Sequence, residues 1–259
     1  MTTGEVGGSV SRGTHGAPRT AIRLGLLALA SASALIGSAA VAQVLTLEPA
    51  RDNTLFEDAQ GDTSNGSGPS LFAGRISQGR IRRALVWFDV RSALPPGALV
   101  DSATLQLHLS SSSDPFPRVI NVHRVLADWG EGASVSSGGG GAPAQEGDAT
   151  WLHAFFPGTF WTSAGGDFDA APSASTTVAG EGDYTWSGPQ LTADIQAWLA
   201  TGEEHGWILI GDETEPGTAR RFDSREQAIA QQRPRLTLHY SMVTRAVPHT
   251  WGGLKYRYR

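Results

Sequence analysis

Apolar and polar residues alternate along several short stretches of the chain. Residues 103–109 (ATLQLHL) and 236–240 (LTLHY) carry an apolar side chain at every second position. A period of two places successive side chains on opposite faces of an extended strand. Both stretches are therefore predicted to be strands with one buried face.

Other stretches are richer in apolar residues and are predicted to be more central strands. They are residues 81–90, 118–126, 184–186 and 207–210. Turn-forming Gly and Pro residues separate these runs. Many short strands joined by such turns indicate an all-β sandwich or barrel. We expect a β-sandwich with jelly-roll-like connections.

One segment has the periodicity of a helix instead. Leu191, Ile195, Trp198 and Leu199 fall at i, i+4, i+7 and i+8, which forms one apolar stripe. Gly202 follows at the position where helix ends favour a left-handed residue. The pattern predicts one short amphipathic helix, packed against an edge or end of the sandwich.

The N-terminal segment has the three parts of a secretory signal. Arg19 and Arg23 precede an uncharged apolar stretch, residues 24–42, which ends in Ala40-Val41-Ala42. A basic region, an apolar region and an A-x-A site together are typical of a cleaved leader. An uncleaved membrane anchor is the alternative, since a stretch of this length nearly spans a bilayer.

This signal divides the chain into three parts and indicates a secreted or cell-surface protein without a membrane span after cleavage. Residues 1–42 are the predicted leader, residues 43–241 the sandwich domain, and residues 242–259 a basic and aromatic C-terminal tail. The tail is expected to be disordered or to act as a sorting or docking segment.

Composition excludes several functions. The 259-residue chain has a net charge of −5, and removal of the leader leaves 17 basic and 24 acidic residues, a charge of −7. Nucleic-acid binding generally requires a basic domain, so no nucleic-acid partner is expected. The chain has no cysteine, which excludes disulfides and thiolate catalysis.

Two polar segments suggest chemistry. Asp58 and Asp62 lie among Gly and other oxygen-bearing residues in 57–66, a composition that fits a calcium loop and equally fits Asx turns. Residues 165–168 (GGDF) match the signature of cyclic-dinucleotide synthases, but no βα units flank them. Common hydrolase and metalloprotease motifs are absent from the sequence, so we do not expect an enzyme.

Arginines suggest a ligand site. Arg80 and Arg82 share one strand face if the strand is regular, and Arg220 on another strand could join them. Guanidinium groups bind carboxylates in a bidentate manner, as uronic acids require. Trp87 is a candidate platform for a sugar ring. We expect these four residues to bind an acidic polysaccharide.

Several short motifs resemble one known family. They are PARD (49–52), NG (65–66), RRALVWFD (82–89), LPPGA (94–98), VHRVLADW (122–129), RFDSRE (221–226) and RPRLTLHY (233–240). In order and spacing they resemble the DNRLRE domain family of exported bacterial β-sandwich modules, over roughly residues 47–241. Residues 148–169 resemble an insertion of a longer subgroup.

The resemblance assigns the six residues that name the family, and these are Asp52, Asn65, Arg83, Leu85, Arg225 and Glu226. We expect them to be structural, because Arg–carboxylate pairs commonly tie loops across the end of a sandwich. Family members are similar to alginate-binding carbohydrate modules, which implies a polysaccharide or cell-surface partner.

Three functions stay open at this point. The first is a non-catalytic carbohydrate-binding module, and the second is a structural surface, adhesion or extracellular-matrix protein. The third is a polysaccharide lyase that would neutralise a carboxylate with Arg and use His or Tyr as base. The sequence contains no compact constellation for the lyase.

Overall fold

The computed structural model describes residues 41–242, and within them the chain is almost entirely antiparallel β-structure. Two α-helices, α1 (Val90–Ala93) and α2 (Pro189–Thr201), and a 3-10 turn (Ala230–Gln232) interrupt the strands. The strands are β1 (Val41–Leu47), β2 (Arg51–Phe56), β3 (Thr63–Ser64), β4 (Ser70–Arg75), β5 (Ile81–Trp87), β6 (Ala98–Ser112), β7 (Arg118–Arg124), β8 (Ala142–Pro143), β9 (His153–Phe155), β10 (Thr159–Phe160), β11 (Ala174–Val178), β12 (Gly182–Ser187), β13 (Trp207–Ile210), β14 (Arg220–Asp223) and β15 (Arg235–Met242).

Eleven strands form one curled sheet. Its main path runs β1-β15-β6-β14-β4-β5-β13-β7-β11, with β12 paired to β6 and β2 paired to β5. The long strand β6 organises the curl, because β15 and then β14 occupy one of its edges while β12 occupies the other. The short pairs β3–β8 and β9–β10 lie outside this sheet.

The main core lies between the two layers of the curled sheet. The alternating positions of β6 (Leu105, Leu107 and Leu109) are fully buried there, together with Trp186 of β12 and Phe222 of β14. Burial of apolar side chains from both layers is the main favourable term for such a sandwich. The predicted inward face of residues 103–109 is confirmed.

Helix α2 closes one part of this core with the predicted stripe. Leu191, Ile195 and Trp198 are buried, and the ring of Trp198 packs 4.6 Å from that of Trp207. Gly202 ends the helix with φ of 86°, a left-handed conformation that glycine adopts without steric cost. The predicted helix is confirmed. The single turn α1 was not predicted.

A second, smaller core lies on the outer face of β5. Leu85, Leu55 and Ile208 point away from the main core and are covered by aromatic residues of the 129–161 segment, including Trp129 and Trp151. Strand β5 is therefore buried on both faces, which explains its nearly continuous apolar sequence. The all-β sandwich prediction is confirmed.

The predicted leader and tail fall largely outside the described residues. Val41 and Ala42, the last residues of the predicted leader, form the first two positions of β1 and pair with Met242 and Ser241. Among residues 41–242, no helix is long and apolar enough to cross a membrane.

Candidate functional site

Arg82, a residue of the predicted patch, lies inside the fold. Its side chain has no exposed surface, and its guanidinium donates to the carbonyl oxygens of Gly139 (3.0 Å) and Ile81 (2.8 Å). The group also stacks 4.7 Å from the ring of Phe56. Burial, followed by the like charge of Arg80, lowers the pKa of Arg82 to about 10.

Arg220 is buried in the same way at the end of β14. Its Nη2 donates to the carbonyl oxygen of Phe116 at 2.6 Å and lies 3.5 Å from Oδ2 of Asp114, an oxygen that also accepts from Arg118 at 2.7 Å. Burial lowers the pKa of Arg220. Its charge is used within the protein.

The predicted exposed patch of Arg80, Arg82 and Arg220 is therefore wrong. Arg82 shares its strand face with Ala84 and Val86, which belong to the main core, so this face points inward. Arg220 and Phe222 share one face of β14, and because Phe222 belongs to the main core, this face also points inward. Strand β5 begins only at Ile81, so Arg80 lies in the preceding turn and is exposed, whereas Arg82 lies on the core face of the strand.

Arg80 alone remains exposed, and it lines a cleft of about 420 Å³ at the β4–β5 turn. We call this the Arg80 cleft. Its lining residues are Ile76, Ser77, Gln78, Arg80, Ser113, Gly139, Gly140, Gly217 and Ala219. Arg80 is the one charged residue among them, and within residues 41–242 it takes part in no ion pair.

Trp87 does not present a free ring. The guanidinium of Arg51 lies 4.5 Å from the Trp87 ring and 5.0 Å from the Trp129 ring, and it donates to Asp128 at 2.9 Å. Trp87 is half-buried and contacts the second core. The structure places it as a packing partner of Arg51, so its predicted role as a sugar platform is not supported.

Three of the six motif residues meet at one end of the sandwich. The buried Asp52 accepts from the backbone N–H of Arg225 at 2.7 Å, and the Arg225 guanidinium contacts Glu226 at 3.4 Å. Glu131 completes the group, because it binds the Arg225 guanidinium at 2.8 Å and accepts from the Asp52 N–H at 2.9 Å. The cluster joins three chain segments.

Burial raises the pKa of two carboxyls in this cluster. The pKa of Asp52 lies well above its ordinary value, because the group is buried and the charge of Glu226 is close. Burial is also the main reason why the pKa of Glu226 is raised. Glu131 was not anticipated, since 94 residues separate it from Arg225 and no local pattern marks it.

The other motif residues lie elsewhere. Asn65 is buried and organises a loop, accepting from the Ser136 N–H at 2.6 Å and donating to the Ser70 carbonyl at 2.9 Å. Leu85 is a core residue. Arg83 is not joined to the Arg225 cluster; it makes a two-bond pair with Glu213, at 2.8 and 2.9 Å.

Arg83 borders a second cleft, of about 520 Å³, that we call the Phe168 cleft. Its lining residues are Arg83, Leu126, Ala127, Thr162, Ser163, Ala164, Gly166, Asp167 and Phe168. The GGDF segment at 165–168 forms one wall of this cleft. The sequence singled out the segment, but its position beside Arg83 depends on tertiary structure.

The segment proposed for calcium forms a local turn. One oxygen of Asp58 accepts from the N–H groups of Gln60 (2.9 Å) and Gly61 (2.5 Å), which is the Asx-turn alternative. Asp62 is exposed. Across residues 41–242, no group of three His, Cys, Asp or Glu side chains is arranged to hold a metal ion.

Comparisons with family models and with curated proteins find no match to this chain. The resemblance to the DNRLRE domain family therefore stays a prediction that depends on the motifs themselves.

Proposed function

We propose that this protein is a secreted, non-catalytic carbohydrate-binding protein that holds an acidic polysaccharide in the Arg80 cleft. The observation that carries the proposal is an exposed arginine at the cleft that takes part in no ion pair within residues 41–242. Arg80 is the one charged group lining the cleft, and the buried Arg82 donates to the carbonyl oxygen of Gly139, another lining residue.

Within residues 41–242, no direct ion pair neutralises the positive charges of Arg80 and Arg82 at this cleft. Both hydrogen bonds of the Arg82 guanidinium go to carbonyl oxygens. Glu57 and Asp58 act on Arg82 from a distance and oppose its lowered pKa only in part. A carboxylate ligand beside Arg80 would therefore gain from two guanidinium groups, one by contact and one through the field.

The rest of the lining suits a sugar. Ser77, Gln78 and Ser113 supply hydroxyl and amide groups that can hydrogen-bond to sugar hydroxyls. Phe116, on the same loop as Ser113, is 65% exposed and offers an apolar ring near this end of the protein. The cleft volume lies within the range of small-ligand sites.

Titration of alginate and pectate against the full chain tests the proposal. We expect binding to weaken with salt, because exposed charge contacts are screened over about 10 Å at 0.1 M ionic strength. Arg80→Ala should weaken binding about tenfold, and Arg80→Lys should recover part of it. Arg91→Ala, which removes another exposed arginine, is the matched control.

Absence of binding by the wild-type chain, or equal binding by wild type and Arg80→Ala, would contradict the proposal. A structural surface, adhesion or matrix protein is the second candidate. The observation that favours it is burial: six of the seven tryptophans within residues 41–242 are less than 10% exposed, and two of three predicted patch arginines are buried. A failed titration would favour this candidate.

A further inference from the structure

We infer that the Phe168 cleft is a separate binding site for a neutral sugar unit. The inference does not depend on the Arg80 cleft, which differs in position, lining and charge. It depends on the shape of the Phe168 cleft, on how its charges are already satisfied, and on the rigidity of its walls.

The lining combines apolar surface with a few polar groups. The apolar part of the lining comes from Leu126, Ala127, Ala164 and Phe168. Leu126 is 49% exposed, although core residues lie beside it in the sequence. Thr162 and Ser163 add two exposed hydroxyl groups. A pyranose ring has the matching character, because it presents an apolar C–H face and hydroxyl groups at its edge.

The charged groups at the cleft already have partners within the protein, which disfavours an anionic ligand. Arg83 binds both carboxylate oxygens of Glu213, and its Nη1 donates to the carbonyl oxygen of Gly165 at 2.8 Å. The Asp167 carboxylate accepts from the N–H groups of Thr162 (2.8 Å) and Ser163 (2.9 Å). One cation and two anions leave a charge of −1, which disfavours acidic sugars.

The GGDF segment makes the cleft rigid. Gly165 has a φ of 90°, and a Cβ atom there would lie 2.6 Å from Nη1 of Arg83 and 2.8 Å from the Trp151 ring. Only glycine lets the backbone approach the guanidinium so closely. Arg83 is in turn held between the rings of Trp151 (4.9 Å) and Phe168 (5.2 Å). A preformed site loses less entropy when a ligand binds.

The test uses the full chain and two variants with the same substitution. Ala164→Trp fills the cleft from an exposed lining position, and Ala200→Trp places the same side chain on the exposed surface of α2. Methyl glycosides of glucose, galactose and mannose, with glucuronate as the acidic counterpart, are titrated by ligand-observed NMR. A circular dichroism spectrum of each variant checks that it is folded.

We expect at least one neutral glycoside to bind with millimolar affinity, little changed by salt, and glucuronate to bind more weakly. Ala164→Trp should weaken binding about tenfold or more, whereas Ala200→Trp should not change it. The inference is overturned if no neutral glycoside binds, if glucuronate binds better, or if Ala164→Trp binds as well as wild type. Alginate binding by Ala164→Trp reports on the Arg80 cleft separately.

Discussion

Replacing Asp52 by Asn tests the energetics of the cluster at the sandwich end. Asp52 has no exposed surface, and its Oδ1 has no hydrogen-bond partner among the described residues. The charges of Glu226 and Glu131 further disfavour its ionised form, and the backbone and side chain of Arg225 oppose them. Asn has nearly the same shape and carries no charge, so the substitution isolates the cost of ionisation.

The sign of the effect follows from the raised pKa. Because the pKa of Asp52 is higher in the folded protein than in the unfolded chain, its contribution to folding is most favourable below the unfolded pKa, about 3.9. That contribution declines as pH rises through the folded pKa. Near neutral pH the wild type therefore carries a penalty that Asp52→Asn removes.

Two opposing contributions set the size of the change in unfolding free energy. Each unit of raised pKa costs the wild type about 1.4 kcal/mol near neutral pH. The Arg225 N–H loses a charged acceptor, a difference of about 1 kcal/mol. Because Asp52 is fully buried, we expect the first term to be larger, and Asp52→Asn to gain about 1–2 kcal/mol in unfolding free energy near neutral pH.

Urea denaturation at near-neutral pH and near pH 4 measures this difference. The gain should shrink at the lower pH, where the folded protein holds Asp52 in its protonated form. Asp101→Asn, at an exposed position of β6, controls for the general effect of removing one negative charge. A loss of more than about 1 kcal/mol near neutral pH would refute the reasoning and show that Arg225 stabilises the ionised carboxylate.

Two further predictions concern the tertiary contacts around β5 and the sandwich end. Arg225→Ala should lower the unfolding free energy by about 1–2 kcal/mol, because Glu131 loses its guanidinium donor and Glu226 loses its ion-pair partner, while the backbone N–H that binds Asp52 remains; an unchanged urea midpoint would show the side-chain contacts of the cluster to be energetically neutral. Gly165→Ala should cost about 2 kcal/mol, since its positive φ and the close contact with Arg83 both oppose a Cβ atom; a melting temperature equal to that of wild type would contradict this.

Local patterns predicted the elements well but not the contacts between distant segments. The alternation in β6 and the stripe in α2 follow from periods of two and 3.6, which depend on near neighbours alone. The same alternation correctly separated Arg82 from Arg83. It could not tell which face of β5 points to the main core, because both faces are buried.

The partners of Arg82 and Arg83 also could not be predicted from local patterns. The partner of Arg83, Glu213, is 130 residues away, and the distant hydrogen-bond partner of Arg82 is a backbone carbonyl in a glycine-rich loop. No pattern in the local sequence indicates either partner. From sequence alone, an arginine in a strand fits a ligand site as well as it fits a buried structural group. The partner that the fold places next to the arginine decides between the two.

A substitution of Glu213 tests whether the partner of an arginine determines which ligand a cleft binds. Arg83 and Arg80 are both arginines beside a cleft, but Glu213 neutralises Arg83, whereas Arg80 has no ion pair within residues 41–242. Glu213→Gln keeps an acceptor oxygen for Arg83 and removes the negative charge, so the net charge around the Phe168 cleft changes from −1 to zero. The amide nitrogen of Gln cannot accept a hydrogen bond, so one guanidinium N–H of Arg83 loses its acceptor and is free to bind a carboxylate.

We therefore expect Glu213→Gln to improve glucuronate binding relative to neutral methyl glycosides, by about tenfold in the ratio of the two dissociation constants. The gain should fall with added salt, because it depends on a newly unpaired charge. Combining Glu213→Gln with Ala164→Trp should abolish the gain, which locates it in the Phe168 cleft. If Glu213→Gln leaves the ratio unchanged while the protein stays folded, the carboxylate of Glu213 does not control the charge preference of this cleft.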